Sequence, residues 1–156
     1  MSLLDDRRQY YERFFKDQRD EEWNKAPGKD VLIRALSHEY VEKCLNASER
    51  LIDLGCGSGF LLNRIHYEVC GSWELVGVDF AALAIEKGKT AYPNLQLFCE
   101  DATATHFPGS YFSVVINYGS VEHFPKPTEA IKEVARLLAP RGLFLFMPPS
   151  LNLGVC

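Results

Sequence analysis

The segment Asp53-Leu54-Gly55-Cys56-Gly57-Ser58-Gly59 carries the strongest chemical implication in the sequence. Glycines at alternate positions let the backbone turn sharply and let a ligand approach the main chain closely. The GxGxG spacing is one residue shorter than the GxGxxG fingerprint of dinucleotide sites, where a helix N-terminus is aimed at a phosphate. The shorter loop, with Asp53 just ahead of it, suits a ligand that carries an amino group and a positive centre. Asp53 can accept from an ammonium directly or through water. The alternative is a glycine turn that only joins a strand to a helix.

Asp79 follows the loop by about 20 residues, where a carboxylate can accept both ribose hydroxyls of a nucleoside. Its alternative is to cap a helix that starts near Ala81. Phe80 can lie on an adenine face or belong to the core. Asp101-Ala102 offers a side-chain acceptor for an exocyclic amino group and a backbone donor for a ring nitrogen. Its alternative is a loop acid like Glu100. Asn117-Tyr118-Gly119-Ser120 falls where the reactive end of such a ligand would face. His123 is the best-placed candidate base, of the type that changes charge near neutral pH, with a structural histidine as the alternative. His38, His66 and His106 fall away from this group and read as surface residues.

These residues share one feature. Each lies at the end of a short apolar run: Leu51–Leu54, Leu75–Val78, Leu95–Cys99 and Phe112–Ile116. A fifth run, Leu143–Met147, ends at Pro148-Pro149. Helical patterns lie between them, over 60–65, 81–89 and 128–138, the last with Ile131, Val134, Leu137 and Leu138 on one face and Pro140 and Gly142 as stops. Alternating short strands and helices imply a parallel sheet covered by helices on both faces. Ligands of such sheets sit beyond the carboxyl ends of the strands. Ahead of the sheet, the spacing of Tyr10, Tyr11, Phe14 and Phe15 predicts an amphipathic helix over about 3–21. It either forms part of a lid that excludes water or packs on the core. Leu32, Leu36, Tyr40 and Cys44 predict a second helix over about 29–45.

The 156 residues suit one domain, here divided into a helical extension (1–28), a core (29–149) and a tail (150–156). With 47% hydrophobic and 24% charged residues, the composition excludes a disordered or collagen-like chain. A net charge of -4 provides no global basic field, so nucleic acid is not favoured as a partner. No apolar run approaches the roughly 18 residues of a membrane span, so no membrane partner is expected. The cysteines are odd in number and form no CxxC pair, which argues against a disulfide framework and a zinc site and for a cytoplasmic setting.

Five motifs in order, LIDLGCGSG, LVGVD, LFCEDAT, YFSVVINYGSVEHF and EVARLLAPRGLFLFMPP, resemble those of the class I S-adenosylmethionine-dependent methyltransferases, and within them the group that methylates small molecules. The resemblance covers residues from about 30 to 149. It implies an α/β, Rossmann-like three-layer sandwich with strand order 3-2-1-4-5. It implies S-adenosylmethionine as cofactor, S-adenosylhomocysteine as product and a small-molecule acceptor. Asp53, Gly55, Cys56 and Gly57 would line the methionine part, Asp79 and Phe80 the ribose and adenine. Asp101 and Ala102 would read the adenine, and Asn117 and Tyr118 would lie beside the sulfonium. No metal is implied. Two departures stand out. Ser113 replaces the usual aspartate of the fourth-strand motif. The antiparallel strand pair that usually follows the fifth strand has no counterpart, which leads us to expect either a fragment or a trimmed family core, with an exposed fifth-strand edge and, for an entire chain, a homodimer formed through it. The competing readings are an inactive cofactor-binding or partner module of the same fold and a nicotinamide-dependent oxidoreductase.

Overall fold

The computed structural model describes residues 3–17, 24–25, 28–37, 49–69 and 71–147. The predicted first helix forms as α1 (Leu3–Lys16) and the second as α2 (Gly28–Leu36); the remainder of each predicted span falls wholly or largely outside the described residues. Then follow β1 (Arg50–Leu54), α3 (Phe60–Glu68), β2 (Glu74–Asp79), α4 (Ala82–Ala91), β3 (Gln96–Cys99) and β4 (Phe112–Tyr118). A short 3-10 turn (Val121–His123), α5 (Pro127–Leu137) and β5 (Leu138–Met147) complete the described chain. The sheet has the order β3-β2-β1-β4-β5, and all four pairings are parallel.

The strands are apolar on both faces because both are covered. Leu51, Leu75, Leu97, Val114 and Ile116 point to the face that α2, α3 and α4 cover with Leu32, Leu36, Leu62, Ile65 and Ile85. Ile52, Leu54, Val76, Val78 and Val115 point to the other face, against Ala130, Val134 and Leu137 of α5. Side chains alternate along each strand, so one sequence feeds two cores.

One boundary differs from expectation. Pro140 and Gly142 do not end α5, which stops at Leu137; they lie inside β5. Phe112 pairs with Leu138, but Val114 pairs with Leu143. The intervening residues form a bulge, with Arg141 at φ 64°. Proline lacks the N–H that a regular ladder needs, so a bulge accommodates it without a lost bond.

The glycine loop is held in place by close backbone contact. A Cβ on Gly88, in the middle of α4, would lie 2.4 Å from the carbonyl oxygen of Ser58. Alanine would ordinarily favour a helix interior; here it would drive α4 off the loop. Gly88→Ala is expected to destabilise the protein by about 1–3 kcal/mol, whereas Thr90→Ala, on the exposed side of α4, should change it little. Thermal melts of the two variants decide it: a Gly88→Ala midpoint at or above that of the parent chain would refute this account.

Candidate functional site

A cavity of about 560 Å³ opens beyond the carboxyl ends of β1, β2 and β4. Of the residues expected at the site, Asp53, Gly55, Cys56, Gly57, Asp79, Phe80, Tyr118 and His123 line it. The glycine loop forms its floor. Gly55 and Gly57 hold φ of 87° and 56°, the left-handed region that L side chains avoid. The amides of Gly55 and Cys56 donate to the carbonyl of Val78, at 2.8 and 3.0 Å, which ties the end of β1 to β2.

Asp79 is buried, and each of its oxygens accepts a backbone hydrogen bond. Its Oδ2 accepts from the Gly57 amide at 2.8 Å and its Oδ1 from the Ala81 amide at 2.9 Å. The carboxylate thus spans the loop and the start of α4. Burial pushes its pKa up, and the amide donors oppose that shift.

Asp53 is different. It is 2% exposed, and among the described residues its Oδ1 has no hydrogen-bond partner. Burial first, then the neighbouring Asp79, push its pKa up to about 8, while Lys29 pulls the other way. Lys29, at the start of α2, lines the same cavity and is equally buried. Its Nζ lies 4.6 Å from the centre of the Tyr118 ring. Burial lowers its pKa to about 8, against the attraction of Asp53. Our sequence reading did not single out Lys29, although the signal was present: with Leu32, Ile33 and Leu36 it forms one buried stripe at helical spacing.

Three other expected residues lie outside the lining. Asn117 is buried but does not line the cavity. Its Nδ2 donates to the Leu54 carbonyl at 2.6 Å and to Ser120 Oγ at 2.7 Å, and its Oδ1 accepts from the Val121 amide at 3.1 Å. It fastens the turn after β4 to the end of β1. Asp101 and Ala102 also lie outside the lining. The Asp101 carboxylate is exposed and accepts from the amide and hydroxyl of Thr103, both at 2.8 Å. This loop is braced from α5: buried Glu133 accepts from the amide and hydroxyl of Thr105, and Arg136 donates to the Phe107 carbonyl.

The N-terminal helix packs on the core and also lines the cavity. Phe15 is buried against Ala81 and Ala84. A Cβ on Gly57 would lie 3.2 Å from the Phe15 ring, so α1 rests directly on the loop. Glu12 accepts from the free amides of Ala82 and Leu83 at the start of α4, at 2.9 and 3.2 Å. Lys87 donates to the Phe15 carbonyl. So anchored, Tyr10, Tyr11, Phe14 and Phe15 form an aromatic wall of the cavity. Tyr11 meets Phe80 edge-on at 5.6 Å and the His123 ring at 5.8 Å.

The sequence model of a family described as a methyltransferase domain matches residues 52–146, from β1 to β5. The chain belongs to this methyltransferase domain family. It is 36% identical over 141 residues to a demethylmenaquinone methyltransferase of Thermus thermophilus, covering 80% of this chain and 63% of that protein. It is 31% identical over 122 residues to a ubiquinone biosynthesis O-methyltransferase of Albidiferax ferrireducens, covering 73% and 47%. The chain therefore spans less than two thirds of the length of these curated relatives. The solved structure of DesVI from Streptomyces venezuelae has the same fold, with a TM-score of 0.69, 19% identity and coverage of 86% of this chain and 57% of that one. The glycine loop, Asp79 and the β4 turn of this methyltransferase domain all lie within the matched residues; α1 and Lys29 lie before them.

The raised pKa of Asp53 has a thermodynamic consequence. The folded chain holds that proton more tightly than the unfolded chain. The associated stability is therefore complete below the ordinary carboxylate value, about 4, and is lost as pH rises toward about 8. Asp53→Asn removes this loss. Without Asp53 nearby, Lys29 also sheds its proton sooner, which acts in the same direction. The ligand-free Asp53→Asn variant should gain stability relative to the parent chain across that window, by roughly 2–4 °C in midpoint per kcal/mol relieved. Melts at about pH 5 and about pH 8 test this; the same difference at both would refute it.

Proposed function

We propose that this chain binds S-adenosylmethionine in the cavity and transfers its methyl group to a small-molecule acceptor. The observation that carries this reading is the buried Asp53 oxygen, without a partner among the described residues, beside an open glycine loop. A buried carboxylate is costly unless a donor meets it, and an amino-acid ammonium is such a donor. The residues present fit the cofactor: Asp53 for the ammonium, Gly55, Cys56 and Gly57 for close backbone approach, Asp79 for ribose hydroxyls, and Phe80 and Tyr118 for flat or cationic parts. When bound, the cofactor supplies an activated methyl group on a sulfonium.

The work left to the protein is alignment and removal of water. The glycine loop and the Asn117 bracket fix the floor, and the α1 aromatics wall off solvent. His123 reaches the cavity from the turn after β4 and is the proposed base for an acceptor that must lose a proton. The aromatic wall favours a ring-bearing acceptor. The two relatives named for demethylmenaquinone and ubiquinone biosynthesis support the same class. We further propose that β5, one of the two edge strands of the described sheet, pairs with a second copy. Its outward Phe146 is 43% exposed and stacks on Phe144 at 6.0 Å, and open edges of this kind favour strand addition.

Calorimetric titration with S-adenosylmethionine and S-adenosylhomocysteine tests the cofactor reading. Both should bind, and Asp79→Ala should weaken both at least about tenfold. Binding of neither would overturn the proposal. With a reduced demethylmenaquinone-type acceptor, His123→Gln should slow transfer by about a hundredfold; an unchanged rate removes His123 as the base. Binding without transfer to any acceptor would favour an inactive module. For the dimer, light scattering at micromolar concentration should give twice the 17.7 kDa chain mass, and a clean monomer would exclude it.

A further inference from the structure

The inference concerns α1 and rests on the cofactor reading above. α1 lies before the residues that the family shares, 52–146, so membership assigns it no role. It crosses the carboxyl edge of the sheet. Tyr11 meets Phe80, just after β2, and His123, in the turn after β4. Phe15 rests on Gly57, in the loop after β1, which is the strand between those two. Five side chains of α1, those of Asp6, Tyr10, Tyr11, Phe14 and Phe15, line the cavity. The helix is therefore a strap across it.

The attachment of this strap is shallow. Among the described side chains of α1, only Phe15 is buried. Beyond Phe15 and the ring contacts, the ties are exposed or part-buried hydrogen bonds. Arg8 donates to the Phe80 carbonyl at 3.3 Å, Lys87 to the Phe15 carbonyl, and Glu12 accepts from the amides of Ala82 and Leu83. In β1, by contrast, Leu51, Ile52 and Leu54 are all buried. A segment with little apolar burial and accessible hydrogen bonds opens before the core does. Glu12 is the decisive tie. Ala81 holds the N-cap position of α4 and supplies no side-chain cap. Serine, threonine, asparagine or aspartate there would cap the helix locally. Here the carboxylate comes from 70 residues earlier, and the cap is lost whenever α1 lifts.

We propose that α1 is a latched lid: ligands enter and leave the cavity when α1 lifts, and the Glu12 cap on α4 sets how often it does. The latch joins two parts of the protein and does not touch the ligand. It holds the empty and the loaded closed forms equally, so its contribution cancels from the affinity and remains in the rates.

The test is surface plasmon resonance of the whole chain with S-adenosylhomocysteine. Glu12→Ala should raise the association and dissociation rates together, each at least about fivefold, as expected for a lost helix cap, and leave Kd within about twofold. Glu12→Gln, which keeps one accepting oxygen, should fall between the parent and Glu12→Ala. Hydrogen exchange supplies a readout without ligand: α1 amides should exchange faster than those of β1 and β4, and Glu12→Ala should speed α1 alone. Unchanged rates in Glu12→Ala would overturn the inference while leaving the cofactor reading intact. So would a weaker Kd with an unchanged association rate, the mark of a residue that only supports the bound site. Protection of α1 equal to that of β1 and β4 would overturn it as well. Failure of the parent chain to bind S-adenosylhomocysteine would overturn the cofactor reading and the inference with it.

Discussion

Asp53 and Asp79 are buried close together, at or near the carboxyl ends of adjacent parallel strands. Two like charges in a low-dielectric setting repel and are poorly solvated. The surrounding structure answers each differently. Asp79 is satisfied locally, by the amides of Gly57 and Ala81. Those bonds require the loop to fold back onto β2, which the positive φ of Gly55 and Gly57 permits. Asp53 is left with an oxygen that no described residue meets, and with Lys29 as its compensating charge. The shape of the loop and the position of α4 are tied to this arrangement.

The two helices ahead of the sheet then complete a site that the sheet alone leaves open. α2 delivers a buried cation to one end. α1 closes a side with aromatic rings, and its own side chains fasten it. Glu12 caps α4, and the Phe15 carbonyl accepts from Lys87. Phe15 rests 3.2 Å from where a Cβ on Gly57 would stand. These hydrogen bonds are exposed or part-buried and individually worth about 1 kcal/mol. The apolar burial of Phe15 contributes more.

The strands were legible in the sequence, because each is a short apolar run bounded by turn residues; their order came from the resemblance of the five motifs to a known family. The glycine loop, Asp53, Asp79 and Tyr118 were legible for the same reason: each sits at the end of a run, and in a parallel sheet all those ends point one way. The β5 bulge was not legible. Pro140 and Gly142 are ordinary helix terminators, and only pairing against Phe112 and Val114 shows that they lie within a strand. Asn117 ended its run as expected, but whether its side chain faces a ligand or the neighbouring turn depends on the backbone of β1, 63 residues earlier.

Local pattern thus determined the class of fold, the family, the cofactor-type loop and the edge of the sheet where chemistry belongs. Periodicity and turn chemistry are properties of nearby residues, and the sequence states them directly. The tertiary structure alone decided the partners of the buried charges. Lys29 and Asp53 are 24 residues apart, and nothing in their spacing requires them to share a cavity. That follows from α2 packing on one face of the sheet rather than the other, a choice set by the summed burial of Leu32, Ile33 and Leu36 against residues far along the chain.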